Sequence, residues 1–397
     1  MAILKKKWIV LLIMLVTLIA FESLVVQIPL SKRVIAIGIG LDMVGEDIEL
    51  SAQVIIPNKN KGSQNTQYQV FSAKGKTVQQ AIATMQAQIG ATPSFAHTLV
   101  ALVGKDFVGQ KLFDTFKTFM ASTIISDNAL IGYCDKESAK DVLSAKMTVN
   151  NTVPYNMQNS MLADEKPIGQ VVAKIKDYFK TYYQVGGCSY LPIVAKQDSA
   201  VTAGLPLSHK ASLIDLNTAA LVGEEEGGAA GSNTEKDYII NLDTAVIVDR
   251  NFKTLALDKE QTRGLTLVKQ RLKDGNFNVV NSFGESIVYY IERSKTKVVL
   301  DNLNMCFEIN MVVENIANNN IAHDNGGVMS NDEKNQIASE VTTSILSGFN
   351  LGKLNDMDIF NVGEMFYAKY GQQWLDKYGE NYLDRITPSV NVKIKVK

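Results

Sequence analysis

Three consecutive lysines, Lys5 to Lys7, precede an apolar run from Trp8 to Phe21 that resumes after Glu22 and continues through Val25, Val26, Ile28 and Leu30. A bilayer core takes roughly 20 mostly apolar helical residues, so the run needs its extension past Glu22 to span one. The pattern predicts a transmembrane anchor or uncleaved signal over residues 1–30. The lysine cluster stays cytoplasmic and everything after residue 30 lies on the far side of the membrane. A cleaved signal peptide has the same charge pattern, but neither Leu18/Ala20 nor Phe21/Ser23 supplies the small-residue pair that a cleavage site uses. No cysteine follows the run to accept a lipid.

Beyond the apolar run the hydropathy period switches repeatedly between that of strands and that of helices. Val34–Leu41 and Ile48–Ile56 read as a hairpin turning at Gly45, and residues 77–89 as a helix opened by a Thr77/Gln80 capping box and stopped by Gly90. Thr98–Val103 and Ala129–Cys134 are strand candidates around a helix at Phe107–Met120, and Ser138–Lys146 closes the series as a short helix. A first α/β domain is assigned to 31–146. The next unit, 147–285, carries a predicted helix over 168–184 stopped by Gly186-Gly187, and short strands at Tyr190–Val194 and Ala211–Leu216. A hairpin at Asp243–Val248 and Thr254–Leu257 and a helix at Lys259–Lys269 follow. Its acidic, glycine-rich stretch over 223–237 has too few apolar residues to order itself and is expected to be a flexible loop.

In the last unit, 286–397, Ser286–Arg293, Lys297–Leu300 and Asn304–Val313 read as three strands, followed by helices over 332–349 and 356–377. In the final strand Val390, Val392, Ile394 and Val396 alternate with Asn391 and lysines, the pattern of an edge strand with a solvated outer face. The fold class expected is α+β, with an N-terminal transmembrane helix followed by an ectodomain of about three mixed α/β units.

Composition removes functions more than it adds them. With 40 basic and 41 acidic side chains in 397 residues the net charge is -1, and no segregated basic face exists to grip nucleic acid. Cys134, Cys188 and Cys306 lie far apart and read as small buried hydrophobes. The three histidines, His97, His209 and His323, fall in three different units without metal-ligand spacing. No metal and no cofactor is expected. Gly38-x-Gly40 lacks the third glycine and following helix of a dinucleotide site, so both are taken as strand glycines. Ser294-x-x-Lys297 matches a serine–lysine nucleophile pattern but falls between strands and lacks the accompanying motifs, and is read as chance.

Several stretches resemble, in order, the Ger(x)C family, the C subunits of nutrient germinant receptors of spore-forming bacteria. They are VIAIGIGLD with IELSAQVIIP, SFAHTLVALVGKDF at Ser94–Phe107, TAVIVDRNFKTLALDKEQTRGL at Thr244–Leu265, and DIFNVGEMFYAKYGQQWL with the closing SVNVKIKVK. The resemblance implies a non-enzymatic, membrane-attached ectodomain working with integral membrane A- and B-type receptor subunits at the outer face of the spore inner membrane. Family members usually carry a lipid-accepting cysteine that this chain lacks, so a single-pass, non-lipidated anchor is expected. Glu260, Arg263 and Gly264, in the best-matching motif, are the candidate partner-binding residues. Their alternative reading is a helix first turn with a local Glu260–Arg263 ion pair and Gly264 allowing close packing. A membrane-anchored solute-binding protein of a transporter is the second functional reading and would need a pocket of converging polar groups between domains.

Overall fold

The computed structural model describes residues 8, 14–16, 33–56, 67–122, 124–148, 152–162, 167–198, 237–315, 329–379 and 381–397. Trp8 and residues 14–16 are helical, and the rest of the expected anchor lies outside the described residues. No transmembrane helix is shown: among the described residues, no helix is long and apolar enough to cross a membrane. The expected strand at Ala211–Leu216, nearly all of the expected loop at 223–237, and His209 and His323 also lie outside them.

The first half is built on β1 (Arg33–Val44), β2 (Asp47–Ile56), β3 (Gln67–Gly75), α1 (Val78–Ile89), β4 (Thr92–Ser94), β5 (Val100–Gly104), α2 (Gln110–Ala121), β6 (Leu130–Cys134), α3 (Ala139–Leu143), α4 (Val153–Leu162) and α5 (Ile175–Tyr182). Its sheet runs β3-β2-β1-β5-β6, with β4 beside the start of β1. β5 and β6 are parallel to β1, whereas β2 and β3 are antiparallel hairpin partners. Both faces are covered, which is why VALVG and LIGYC are buried along their whole length instead of alternating. On one face Met85, Phe116 and Phe119 join Ile39, Leu50 and Val103, and on the other Leu143, Val153 and Met157 join Val100, Leu102 and Leu130.

Four short strands follow, β7 (Ser189–Pro192), β8 (Ala195–Asp198), β9 (Tyr238–Asn241) and β10 (Ala245–Val248), then β11 (Thr254–Leu257). β8 and β9 pair with each other, and the other three form a sheet in the order β11-β10-β7. The tetrapeptide AVIV of β10 has no polar face because both its faces are interior. Val246 and Val248 enter the core of the first half, and Ala245 and Ile247 enter the core of the second.

The second half comprises α6 (Lys259–Lys269), β12 (Asn276–Val280), β13 (Ser286–Asp301), β14 (Asn304–Asn315), α7 (Asn331–Asn355), α8 (Val362–Tyr370), α9 (Gln372–Tyr378), α10 (Tyr382–Arg385) and β15 (Thr387–Val396). The sheet order is β12-β13-β14-β15, the last pair parallel. Phe277, Tyr289, Phe307 and Ile309 from the sheet meet Ile337, Val341, Ile345 and Phe349 of α7 in one core. As the alternation predicts, β15 is an edge strand with Asn391, Lys393 and Lys395 exposed.

Five elements depart from the sequence reading. The helix expected over 168–184 is confined to Ile175–Tyr182, because Gly169 takes φ 85° and Ile168 donates its N–H to Asp274 at 3.0 Å, pulling the preceding chain out of helical geometry. The strands expected at Ser286–Arg293 and Lys297–Leu300 are one continuous strand with a register shift between Ile291 and Arg293, a bulge that absorbs the polar interruption. The helix expected over 356–377 begins only at Val362 and breaks at Gly371, whose φ of 74° ends α8. α4 and β3 lie in stretches to which the hydropathy pattern assigns neither helix nor strand. Ser294 is buried and Lys297 exposed, an odd spacing on one strand that puts them on opposite faces.

Candidate functional site

The stretches that carry the family resemblance prove to be joints of the fold. Asp42 is buried, and its carboxylate accepts the N–H groups of Ala139 at 2.8 Å and Lys140 at 2.9 Å, capping α3 from across the sheet. Burial raises its pKa, and the two N–H bonds oppose that rise. Gly104, at the end of β5, is where that carboxylate fits: a Cβ there would collide with Asp42 Oδ1 and lie 3.4 Å from its Cγ. Gly38 faces Pro154 and Leu143 just as tightly, a Cβ falling 2.9 Å from Leu143 Cδ1. Both glycines of Gly38-x-Gly40 therefore sit within β1, and Gly38 brings α3 and α4 onto the sheet. His97 is exposed in the turn between β4 and β5, where Leu99 donates to Ile37 O at 2.8 Å and Thr98 is buried.

α6 opens on a full capping box, Asp258 Oδ1 accepting from Gln261 N at 2.8 Å and Gln261 Oε1 accepting from Asp258 N at 3.1 Å. The three candidate partner-binding residues follow in its first two turns and have different fates. Glu260 is exposed. Arg263 pairs with Glu340 of α7, not with Glu260, donates to Asn276 O of β12 at 3.0 Å, and lies over the Phe277 ring at 4.4 Å. One guanidinium thus ties together three elements, and its burial lowers its pKa against the pull of Glu340. Gly264 is at the point of closest approach of α6 and α7: a Cβ would be 2.6 Å from the Ser344 carbonyl carbon and 3.0 Å from Ile345 Cα. The structure brings Arg263 and Gly264 to the internal helix crossing and leaves Glu260 on the surface.

A second polar constellation joins the two halves. Asp358 is buried and accepts from Val362 N at 2.8 Å, Gly363 N at 2.7 Å and Tyr382 Oη at 2.7 Å, which caps α8 and fixes α10 against it. The Gly186-Gly187 turn from the first half closes over this pair. Gly186 has φ 75°, and a Cβ on it would lie 2.6 Å from Asp358 Oδ2. Glu364 accepts from Val185 N at 3.0 Å, and Arg250, from the β10–β11 turn, donates to the carbonyls of Tyr182 (2.9 Å) and Gln184. Lys269, at the end of α6, donates to Phe360 O at 2.5 Å. Burial pushes its pKa down to about 8, with Asp358 pulling it back up. Burial likewise raises Asp358, against its three hydrogen bonds, and lifts the Cys188 thiol to about 12.

Asp177, Lys180, Gln184, Lys269, Asn361 and Glu364 line a pocket of about 250 Å³ beside this joint. Its two cations and two carboxylates can balance a small polar solute but include no nucleophile–base pair. The sequence reading missed this joint, registering Gly186-Gly187 only as a helix stop and Asp358 only as part of a longer helix. The available signal was an Asp four residues before the first helical valine, the spacing of a side chain that reaches back to cap. Among the described residues, no cluster of three or more His, Cys, Asp or Glu could hold a metal ion.

Two family models match the chain in order and together cover most of it. Residues 27–196 match the spore germination protein N-terminal domain, and residues 243–397 match the spore germination B3/GerAC-like C-terminal domain. The chain belongs to the spore germination GerAC family. The boundary between the two matches falls in the segment that leads into β10, the strand shared by both cores. No curated protein matches the chain. Among solved structures it is similar to that titled the crystal structure of the GerBC protein, with a TM-score of 0.44 and 13% identity over 90% of this chain and 96% of that one. A likeness at that level carries no residue roles across.

Proposed function

We propose that this protein is the C-type subunit of a nutrient germinant receptor. In this reading the N-terminal apolar run holds it, without lipid, at the outer face of the spore inner membrane, bound to the integral membrane A- and B-type subunits. The observation that carries the reading is the ordered pair of germination-family matches over 27–196 and 243–397. Two cores locked through β10 and the Asp358–Tyr382 joint suit a subunit that transmits force or position between partners rather than one that turns over a substrate. Glu260, Arg263 and Gly264 enter the reading unequally: Glu260 is within reach of a partner, and the other two hold the helix that presents it. Deleting the gene should abolish germination by one class of nutrient while leaving nutrient-independent triggers intact. An unchanged nutrient response in a strain without paralogous receptors would refute the role.

The pocket beside Lys269 favours one other reading, that of a membrane-anchored solute-binding protein, because it gathers charges of both signs between the two halves. Thermal unfolding of the protein in the presence of amino acids and sugars separates the two. A saturable stabilisation abolished by Lys180→Ala would support solute binding, and its absence across the panel would count against it.

A further inference from the structure

A second cavity lies away from the joint, at the start of β1. It is a cleft of about 650 Å³ between β1, the turn preceding β5, the strand β6 and α4. Ile35, Ile37, Ile55, Leu99 and Leu130 provide apolar walls, with Tyr155 of α4 beside them. Two large apolar side chains stand at its mouth in solvent, Ile35 at 40% exposure and Leu162 at 43%. Leaving both uncovered forgoes the gain that burying apolar surface brings.

The one charged side chain among the described residues that line the cleft is Lys174. Among the described residues Lys174 lines it with His97, Ser126, Asn128 and Gln158, and no carboxylate does. Just outside, Arg33 is exposed, Lys176 donates to Asn128 Oδ1 at 2.7 Å, and the Asp127 carboxylate accepts from Asn128 Nδ2 at 2.9 Å, leaving two cations to one anion there. Apolar walls with a cationic, hydroxyl- and amide-bearing rim match a molecule that has an acyl chain at one end and a phosphate with ester oxygens at the other.

Chain length supplies the location. Ile35 is five residues after Leu30, the end of the N-terminal apolar run. A fully extended chain advances at most about 3.6 Å per residue, so the mouth of the cleft is within roughly 18 Å of that end. This step rests on the anchor reading given above. If the run crosses the bilayer, the cleft opens within reach of the outer headgroups.

We propose that this cleft takes one anionic phospholipid from the outer leaflet, its acyl chain against Ile35, Ile37 and Leu162 and its phosphate on Lys174 and His97. A lipid held there orients the first half of the protein on the membrane, in addition to tethering it. Burying a few methylenes of the chain is enough to bias the orientation.

The test uses the full chain in nanodiscs of phosphatidylcholine containing one-fifth phosphatidylglycerol whose acyl chain carries a photoreactive diazirine, with labelled peptides mapped by mass spectrometry. Labelling is expected on peptides containing Ile35–Ile37 and Tyr155–Leu162. Leu162→Asp should reduce it tenfold or more, and Lys174→Gln should remove the preference for phosphatidylglycerol over an equally labelled phosphatidylcholine. Both positions are at the surface of the cleft, and matching circular dichroism confirms that the variants fold. Labels confined to residues 8–30 would overturn the proposal while leaving the anchor intact. A chain that does not partition into the nanodiscs would overturn both. A photoreactive residue placed at 162 that captures a protein instead of lipid in spores would also overturn it.

Discussion

Gly264→Ala sets two effects of known sign against each other at the α6–α7 crossing. In a helix interior, replacing Gly with Ala ordinarily stabilises by about 1 kcal/mol, because the unfolded chain loses freedom. Here the added Cβ would lie 2.6 Å from the Ser344 carbonyl carbon and 3.0 Å from Ile345 Cα. Those atoms belong to the backbone of a 25-residue helix and cannot turn aside. Relief requires the helices to part by about 1 Å, and a gap of that size forfeits a quarter to a half of each dispersion contact across the interface. The separation also stretches the Arg263–Glu340 pair and unpacks Leu265 from Ile345, both fully buried. Overpacking of a core ordinarily destabilises by about 1–3 kcal/mol, and the coupled losses offset the intrinsic gain of about 1 kcal/mol, which leaves a net loss of about 1–3 kcal/mol. For a unit of this size that corresponds to a drop of roughly 2–12 °C in melting temperature. Differential scanning fluorimetry of the full chain should show it. Hydrogen exchange should rise in α6 and α7 and stay unchanged in α1 and α2, and Glu260→Ala, at an exposed site, should move neither reading appreciably. A Gly264→Ala variant as stable as the wild type would refute the crossing.

Arg263→Lys should lose about 1–2 kcal/mol even though the charge is kept, because lysine cannot hold Glu340, Asn276 O and the Phe277 face together; a double-mutant cycle with Glu340→Gln should give a coupling of about 1 kcal/mol, and zero coupling would contradict the ion pair. The thiols should react in a fixed order under native conditions at pH 8, with half-buried Cys306 labelled by maleimide well before Cys134 and Cys188, both buried with raised pKa. Lys269 should titrate near pH 8 by NMR of the dimethylated side chain, assigned with Lys269→Met. Because its folded pKa is below the unfolded 10.5, its contribution to stability is complete above that value and is lost as pH falls from about 10.5 to about 8. Wild type should therefore gain stability relative to Lys269→Met as pH rises through that window, and parallel curves would refute the burial.

Local signals served the sequence reading well at α1 and at the start of α3. Thr77 caps α1 by accepting from Gln80 N, Gly90 ends it at φ 69°, and Ser138 caps α3 by accepting from Asp141 N, as their spacing indicates. Apart from Gly371, a local stop inside the helix expected over 356–377, the failures were tertiary. Ile168, Val171, Val172 and Ile175 have helical spacing, yet the chain before Ile175 is drawn into pairing with Asp274 from the second half, a contact no local window contains. Glu260 and Arg263 have the spacing of a local ion pair, but a stronger competitor, Glu340, arrives from 77 residues away. The Asp358–Tyr382–Gly186 joint was illegible because its members are distant in sequence and each has an ordinary local role. Gly264 was half legible: its spacing suggested close packing, and only α7 shows against what.

The central claim is that this chain works as a subunit of a membrane receptor. Affinity purification of the tagged protein from dormant spores, with identification of the co-purifying membrane proteins, tests it most directly. Two multi-span A- and B-type receptor subunits should be recovered together with it in constant ratio. Recovery of the chain alone, or with a transport ATPase, would contradict the claim.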